Sequence, residues 1–449
     1  MSGKLRPTIL AVLLVAMAAM VIAALRPPEK PDGRTVLTWL VPMQLDRPLL
    51  EKLAKQFGEQ NPDIHLRMTF VPGAQYQTKL KTLIASGHPP DLFYAGDVWV
   101  AYYRPFLLDL TPFFERDAAE IDLDDIYPAV LAACRTDGQY LFTPRWFSVA
   151  LLYYNRTIFD EAKEAYPTAD WTWDEYLAAA KRLTRPASAG KPAVWGSQIV
   201  TGWWGEWLTL VRQAGGELFD ADMKRCTLDE PEAIRGMMFY IEKVRRHRVS
   251  PAPGRGPDGG FASGQLAMEL VGHTGNWTQF NQIGLNWDIA LLPAGPTEKN
   301  RSEVAIDAVG ASNQTKHPEA CWRFFKFIMS KPSIRAHVDA GYLSIRKSVA
   351  EQTLLAPGYL KHPQHAAVAY EALAISDHGA HSPDFIEIVR EVIQPEIDRA
   401  LADDRDLNES DRLAAVTAAC RRAATAANDF IQTLGTERRQ DGSGIPAKR

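Results

Sequence analysis

Cysteine is scarce: the 449 residues hold four, Cys134, Cys226, Cys321 and Cys420, far apart and never in CxxC spacing. Zinc ribbons and thioredoxin-like motifs are thereby excluded. Isolated buried thiols are the expected reading, because Cys is often a small core residue, although an even count also permits disulfides in an oxidising compartment. Charge of one sign is lacking too. Lys and Arg total 50 against 54 Asp and Glu, a net charge of −4, which supplies no general electrostatic reason to bind nucleic acid. The common catalytic signatures are missing: no P-loop lysine, no HExxH pair and no GxSxG elbow occurs. Gly254-Arg-Gly256-Pro-Asp-Gly259 matches G-x-G-x-x-G in form, but no strand precedes it and Pro257 interrupts it, so a surface loop is expected. His362-x-x-His365 and His378-x-x-His381 sit in Pro- and Gly-containing segments without a fixed helical face, and read as solvated or structural histidines. No metal and no cofactor is expected. Internal repeats and low-complexity tracts are absent as well.

Long hydrophobic runs are limited to one, Ile9 to Leu25, preceded by Lys4 and Arg6. That order is the mark of a secretory leader, with small residues at Ala16-Met17-Ala18 and Ile22-Ala23-Ala24 as cleavage sites. The run is also about long enough to span a bilayer, so residues 1–25 read as a signal peptide or an uncleaved anchor. No cysteine near its end offers a lipid-attachment site. The chain is thus exported, either free in the periplasm or tethered to the inner membrane. Residues 26–34, RPPEKPDGR, form a linker rich in Pro and charge.

What is present is ordinary globular composition, 46% hydrophobic and 23% charged, in a length suited to two large lobes. TVLTWLV (35–41) has the β-branched, apolar character of a buried strand, and Leu50, Leu53 and Phe57 follow at helical spacing. Ile64, Leu66, Met68 and Phe70 alternate with polar residues, which predicts a strand; Tyr76, Leu80, Leu83 and Ile84 predict a helix stopped by Gly87. A third strand is expected in Asp91–Gly96. The β-α-β-α-β order argues for an α/β lobe with a largely parallel sheet. A second lobe is expected to begin near Leu151, with a capping box at Thr172 and Glu175. Ile234, Met237, Met238, Ile241 and Val244 mark a helix over 231–248, and Cys321, Phe324, Phe325 and Ile328 another. Lys243 and Arg245-Arg246-His247-Arg248 read as a solvated helix end whose cations complement the macrodipole.

Aromatics are plentiful: 12 Trp, 14 Tyr and 18 Phe. Trp39 ends the first strand, Trp99 follows the third, Trp203, Trp204 and Trp207 cluster in TGWWGEW, and Trp277 follows His273-Thr-Gly-Asn276. Loops beyond the carboxyl ends of parallel strands line ligand crevices, so these aromatics are candidate cleft residues, whereas Trp173 and Trp322 lie on helix faces. Asp97, two residues before Trp99, would add a carboxylate for hydroxyl groups beside a ring for an apolar sugar face.

Several ordered landmarks point the same way. They are Phe57-Gly-Glu-Gln-Asn-Pro62, Ala85-Ser-Gly-His-Pro-Pro-Asp91, Leu108-Asp-Leu-Thr-Pro112, and Pro144 eleven residues before Asn155. Trp171-Thr-Trp-Asp-Glu175, Phe261-Ala-Ser-Gly264, Leu292-Pro293-Ala-Gly295 and Gly341-Tyr-Leu continue the series. The pattern over residues 35–435 resembles extracellular solute-binding protein family 1, the carbohydrate-binding components of ABC importers. The resemblance implies an α/β, two-lobed periplasmic binding protein fold of type II, with a three-crossing hinge and a ligand cleft between the lobes. Residues 35–147 with 308–335 would form the first lobe and 150–305 with 340–435 the second, with crossings near Phe147–Ala150, Ala305–Gly310 and Arg335–Ala340. Residues 436–449 are expected to be a disordered tail.

On the same resemblance, the ligand-binding set would be Trp39, Asp97, Trp99, Trp146, Ser148, Trp203, Trp204, Trp277, Asp307 and Tyr342. Ser148 stands where maltose-binding relatives carry an acidic contact, and Ser344 replaces a proline of glycerol-phosphate-binding relatives. The implied partners are a carbohydrate ligand and the permease subunits of an ABC importer; the protein itself would be a monomer without catalytic activity. Two alternatives stand beside it. A polyol phosphate would need a convergent cation such as Arg145 or Arg346, and a secreted carbohydrate-active enzyme would need paired carboxylates such as Asp97 and Asp307.

Overall fold

The computed structural model describes residues 33–440 apart from 44–45, 95, 189, 191, 298–301, 378–382 and 404. Residues 1–32 and 441–449, and with them the leader, most of the linker, and His378 and His381, lie outside the described residues. Strand β1 (Thr35–Pro42) buries Leu37, Trp39, Leu40 and Val41. Helix α1 (Arg47–Gln60) starts where the Asp46 carboxylate accepts the Leu49 N–H at 3.0 Å, and it buries Leu49, Leu50, Leu53 and Phe57. After β2 (Ile64–Val71), helix α2 (Gly73–Ala85) buries Tyr76, Leu80 and Ile84. It ends in a Schellman motif: Gly87 at φ +73° lets the His88 N–H reach Leu83 O and its own N–H reach Ile84 O, both at 3.0 Å. β3 (Leu92–Tyr94) closes the run, and β1 pairs in parallel with both β2 and β3.

The chain then forms a small hairpin, β4 (Arg135–Thr136) and β5 (Gln139–Tyr140), and two strands separated only by Ala150, β6 (Thr143–Val149) and β7 (Leu151–Asn155). Helices α3 (Trp173–Leu183), α4 (Gly205–Gln213) and α5 (Pro231–Arg245) follow, then β8 (Met268–Gly272), α6 (Trp277–Gln282), β9 (Trp287–Ala290) and β10 (Ser302–Ala311). Next come α7 (Pro318–Met329), α8 (Lys331–Asp339), α9 (Ala367–Ala374), β11 (Ser376–Asp377) and α10 (Glu409–Gln440). The six-stranded sheet runs β11-β10-β3-β1-β2, with β6 also on β10; the three-stranded sheet is β8-β7-β9. β10 is antiparallel to both β3 and β6, so the first sheet is mixed where a largely parallel one was expected. The β7 sheet is antiparallel throughout.

Packing explains several local features. The capping box closes at Thr172 and Glu175, and Cys321, Phe324, Phe325 and Ile328 are fully buried on α7. All four cysteines are buried and free, and burial pushes their thiols well above the ordinary range. Lys243 departs from expectation: it is not part of a solvated helix end but lies fully buried on α5, paired with the equally buried Glu206 of α4. Buried charges persist only when paired, and the Lys243 ammonium also donates to Gln198 O at 3.1 Å.

Two hydrophobic clusters organise the molecule. One is built on the six-stranded sheet with α1, α2, α7 and α8; it also takes in Tyr153, Trp277, Phe280 and Trp287. The other joins α3, α4 and α5 to Phe385, Ile388 and one face of α10. Leu343 to Leu373 pack in the first cluster, and Arg346 is anchored there on Met329 O, Ile121 O and Asp125. Residues Arg335–Ala340, where the third crossing was expected, lie in helix α8 and its cap. The two clusters are not the two lobes: alternate residues of β7, Leu151 and Tyr153 against Leu152 and Tyr154, fall in different clusters, one on each face of the three-stranded sheet. Residues Thr436–Gln440 likewise continue helix α10 instead of beginning a disordered tail. Among the described residues no helix is long and apolar enough to cross a membrane.

Candidate functional site

Two residues apart on β6, Trp146 and Ser148 share one face of the strand, while Phe147 between them packs in the first cluster. Trp146 stacks on Tyr342, with ring centroids 4.6 Å apart and planes 22° from parallel. Gly341 makes this approach feasible. Its φ of +100° suits only glycine, and a Cβ there would stand 2.0 Å from Thr278 Oγ1 on α6. Trp146 and Tyr342, with Asp46, Leu49, Leu50, Arg145 and His337, line a small open-sided pocket.

Arg145 forms an ion pair with Asp307, both side chains buried, and its guanidinium lies 5.6 Å from the Trp39 ring centroid. Burial raises the Asp307 carboxyl above its usual range, and the Arg145 charge opposes that shift. His337 Nδ1 lies 2.8 Å from Ser333 O, a carbonyl that only accepts, so Nδ1 carries the proton and Nε2 presents a lone pair. Burial, with Arg145 nearby, lowers the His337 pKa to about 3.

Ser148 sits in a second polar group. Its Oγ lies 2.9 Å from His273 Nδ1, 3.1 Å from the Thr274 N–H and 3.0 Å from Thr274 Oγ1. Burial lowers the His273 pKa to about 4. The half-buried Trp203 meets the His273 ring edge to face at 5.1 Å.

The remaining expected residues separate into two sorts. Trp99, on the 3-10 turn Asp97–Trp99, is half-buried and packs against both clusters. Lys81 stands over it at 5.8 Å and bridges to Glu387 of the second cluster's side at 2.9 Å. The side chain of Asp97 lies outside what the structure describes. Three tryptophans expected in the cleft are packing residues here. Trp39 is 2% exposed, edge-on to Phe324 at 5.2 Å. Trp277 is 3% exposed; its indole N–H donates to the Tyr153 hydroxyl at 2.6 Å and its ring leans on Trp287. Trp204 is 7% exposed, between Phe385 and Arg390. Large rings that can fill an apolar interior do so, and the position of a loop in sequence does not reveal which way its ring turns.

Trp146 with Tyr342, and Ser148 with Trp203 through His273, thus form two groups side by side on β6, while Trp99 packs against both clusters. His273, Thr274 and His337 stand with them, and none of the three was singled out from sequence. A lone histidine carries no periodic signal; its role follows from the partners that folding assigns it. His362 is buried, and His365 is bound by its Nδ1 to Asp288 Oδ2 at 2.7 Å, so this pair is structural.

Two lobes joined by the adjacent strands β6 and β10, with aromatic and polar side chains facing each other along the seam, define a two-lobed binding-protein fold. The family model for bacterial extracellular solute-binding proteins matches residues 45–333, and the chain belongs to that family. A maltotriose-binding protein of Pyrococcus abyssi is 22% identical over 67% of this chain and 64% of its own length. The chain therefore spans somewhat less than two thirds of that relative. A mannitol-binding protein of Pseudomonas aeruginosa is 25% identical over 71% of this chain and 70% of its own. Among solved structures, an ABC substrate-binding protein of Listeria monocytogenes in complex with cycloalternan matches with TM-score 0.75 and 24% identity, covering 89% of this chain and 99% of that one. The sugar-binding protein MalE of Xanthomonas citri matches with TM-score 0.73 and 18% identity, over 89% and 99%. These likenesses establish the fold.

Proposed function

We propose that this chain is the substrate-binding component of an ABC importer, capturing a neutral sugar, oligosaccharide or polyol between its lobes in the periplasm and delivering it to a membrane permease. The observation that carries this reading is the seam itself, where ring faces of Trp146, Tyr342 and Trp203 alternate with uncharged hydrogen-bonding groups of Ser148, His273 and His337. Rings suit the apolar faces of a sugar, and neutral polar groups suit its hydroxyls. The relatives' names fit this chemistry: besides maltotriose and mannitol, they include arabinooligosaccharides and erythritol/L-threitol.

One relative is named as an sn-glycerol-3-phosphate-binding protein, and a phosphate would require a cation to receive it. Both candidates are engaged elsewhere: Arg145 with Asp307, and Arg346 with Asp125 and two backbone carbonyls. The same pairing speaks against Asp307 as one of two carboxylates flanking a scissile bond, which supports the receptor reading over the enzyme.

The mechanism follows from the architecture. A solute that touches both lobes binds the closed form better than the open one and shifts the population towards it. β6 and β10, side by side, are the elements about which that motion turns.

Titration calorimetry with maltotriose, mannitol and glycerol 3-phosphate tests the reading. Stoichiometric binding of maltotriose or mannitol, with no product formed on incubation, is the expected result. Selective binding of glycerol 3-phosphate, or hydrolysis of maltotriose, would overturn it.

A further inference from the structure

His273 Nε2 is a buried polar atom with no hydrogen-bond partner among the described residues. Its chemical character follows from counting hydrogens around Ser148. The Thr274 backbone N–H donates to Ser148 Oγ at 3.1 Å, and the Thr274 hydroxyl, 3.0 Å away, has Ser148 as its acceptor. Those two bonds fill both lone pairs of Ser148 Oγ, so the serine hydrogen points to His273 Nδ1, 2.9 Å away. Reversing the chain would strand the buried Thr274 hydroxyl hydrogen without an acceptor, which is the costlier arrangement. His273 is therefore neutral with its proton on Nε2, a donor aimed at no protein acceptor. Burial, which lowers its pKa to about 4, keeps the ring in that neutral state near pH 7.

The backbone leading to His273 is also unusual. Val271 has φ +63°, a left-handed conformation that is a true outlier for a buried β-branched residue. It stands at the end of β8, beside the irregular pairing of Leu151 and Tyr153 on β7. Such strain persists where the surroundings hold a side chain in a required position.

We propose that His273, fixed as its Nε2–H tautomer by Ser148, is a ligand-contacting residue that donates a hydrogen bond to a hydroxyl oxygen of the bound sugar or polyol, beside the ring of Trp203. Ser148 acts as a positioning residue through His273. The proposal rests on the receptor reading above and adds the donor that selects for an oxygen acceptor at this point of the seam.

Two measurements test it. Long-range proton–nitrogen correlation on the unliganded, nitrogen-15-labelled protein reads the tautomer, with the His273 signals assigned by their loss in His273→Gln. A proton on Nε2 is expected, and Ser148→Ala is expected to admit the Nδ1–H form; a wild-type Nδ1–H tautomer would overturn the proposal. Calorimetry with maltotriose and mannitol then reads the contact. His273→Phe is expected to lose about tenfold in affinity, whereas His273→Gln, whose amide N–H can stand near the Nε2 position, stays within about threefold of wild type. Wild-type affinity in a folded His273→Phe, while maltotriose or mannitol still binds, would refute this contact and leave the receptor reading standing. Binding of neither probe by the wild-type protein would overturn the receptor reading, and this contact with it.

Discussion

His273 and His337 are each buried, and burial holds the pKa of the first at about 4 and of the second at about 3, below the ordinary 6.5. Between the ordinary value and those depressed ones the unfolded chain binds more protons than the native protein. Acidification therefore favours unfolding. The stability these residues contribute is complete above pH 6.5 and is lost as the pH falls towards 4 and then 3. Each adds up to about 1.4 kcal/mol per pH unit to the slope within its window. Urea unfolding at a series of pH values should show stability falling below about pH 6.5, and His273→Gln should flatten that slope; an unchanged slope would refute the assignment. Trp277 supplies a second test at this scale. Although sequence placed it in the cleft, the structure packs it against Trp287 with its N–H on Tyr153, so Trp277→Ala should destabilise the fold by about 3–5 kcal/mol. A melting temperature equal to wild type would return Trp277 to the cleft.

At the scale of elements, the contact between α2 and the turn at Phe385–Glu387 joins the two sides of the seam. Lys81 bonds Glu387 at 2.9 Å and lies 4.3 Å from the Tyr102 ring centroid. Its side chain is about one-third exposed, so screening limits the ion pair to about 1 kcal/mol or less. Lys81→Ala should therefore weaken sugar binding by no more than about fivefold, with the loss shrinking as salt is raised. A loss of a hundredfold, or one insensitive to salt, would show that Lys81 does more than bridge the lobes. Elements also show where sequence was legible. The helices α1, α2, α3 and α7 carry their buried stripes within a few adjacent turns, and Thr172 with Glu175, and Gly87, mark ends that the structure shares. β10 was not legible as a partner of β3. Its end, Val309–Ala311, pairs with residues more than two hundred positions earlier, and no local pattern encodes that register.

For the whole molecule, the decisive arrangement is the antiparallel pair β6 and β10 at the edge of the first core, with β6 running on through Ala150 into the second sheet. β6 ends at Val149 and β7 begins at Leu151, yet they belong to different sheets, so the chain passes from one sheet to the other at a single residue, Ala150. The ring faces and neutral polar groups of the seam lie along this junction. On the receptor role proposed above, a solute bound there would sense the distance between lobes directly.

Sequence alone determined the family, the α/β character of the first lobe, the buried state of the cysteines and the order of the first five elements. All of these rest on local periodicity, caps and ordered motifs that neighbouring residues carry between them. Tertiary structure decided the rest. Trp39, Trp204 and Trp277 turned inward and Trp146 outward, Lys243 found Glu206, and Ser148 acquired His273. The physical reason is common to them. A ring's exposure, a buried charge's partner and a histidine's tautomer are set by groups distant in sequence, and those groups meet only when the chain has packed.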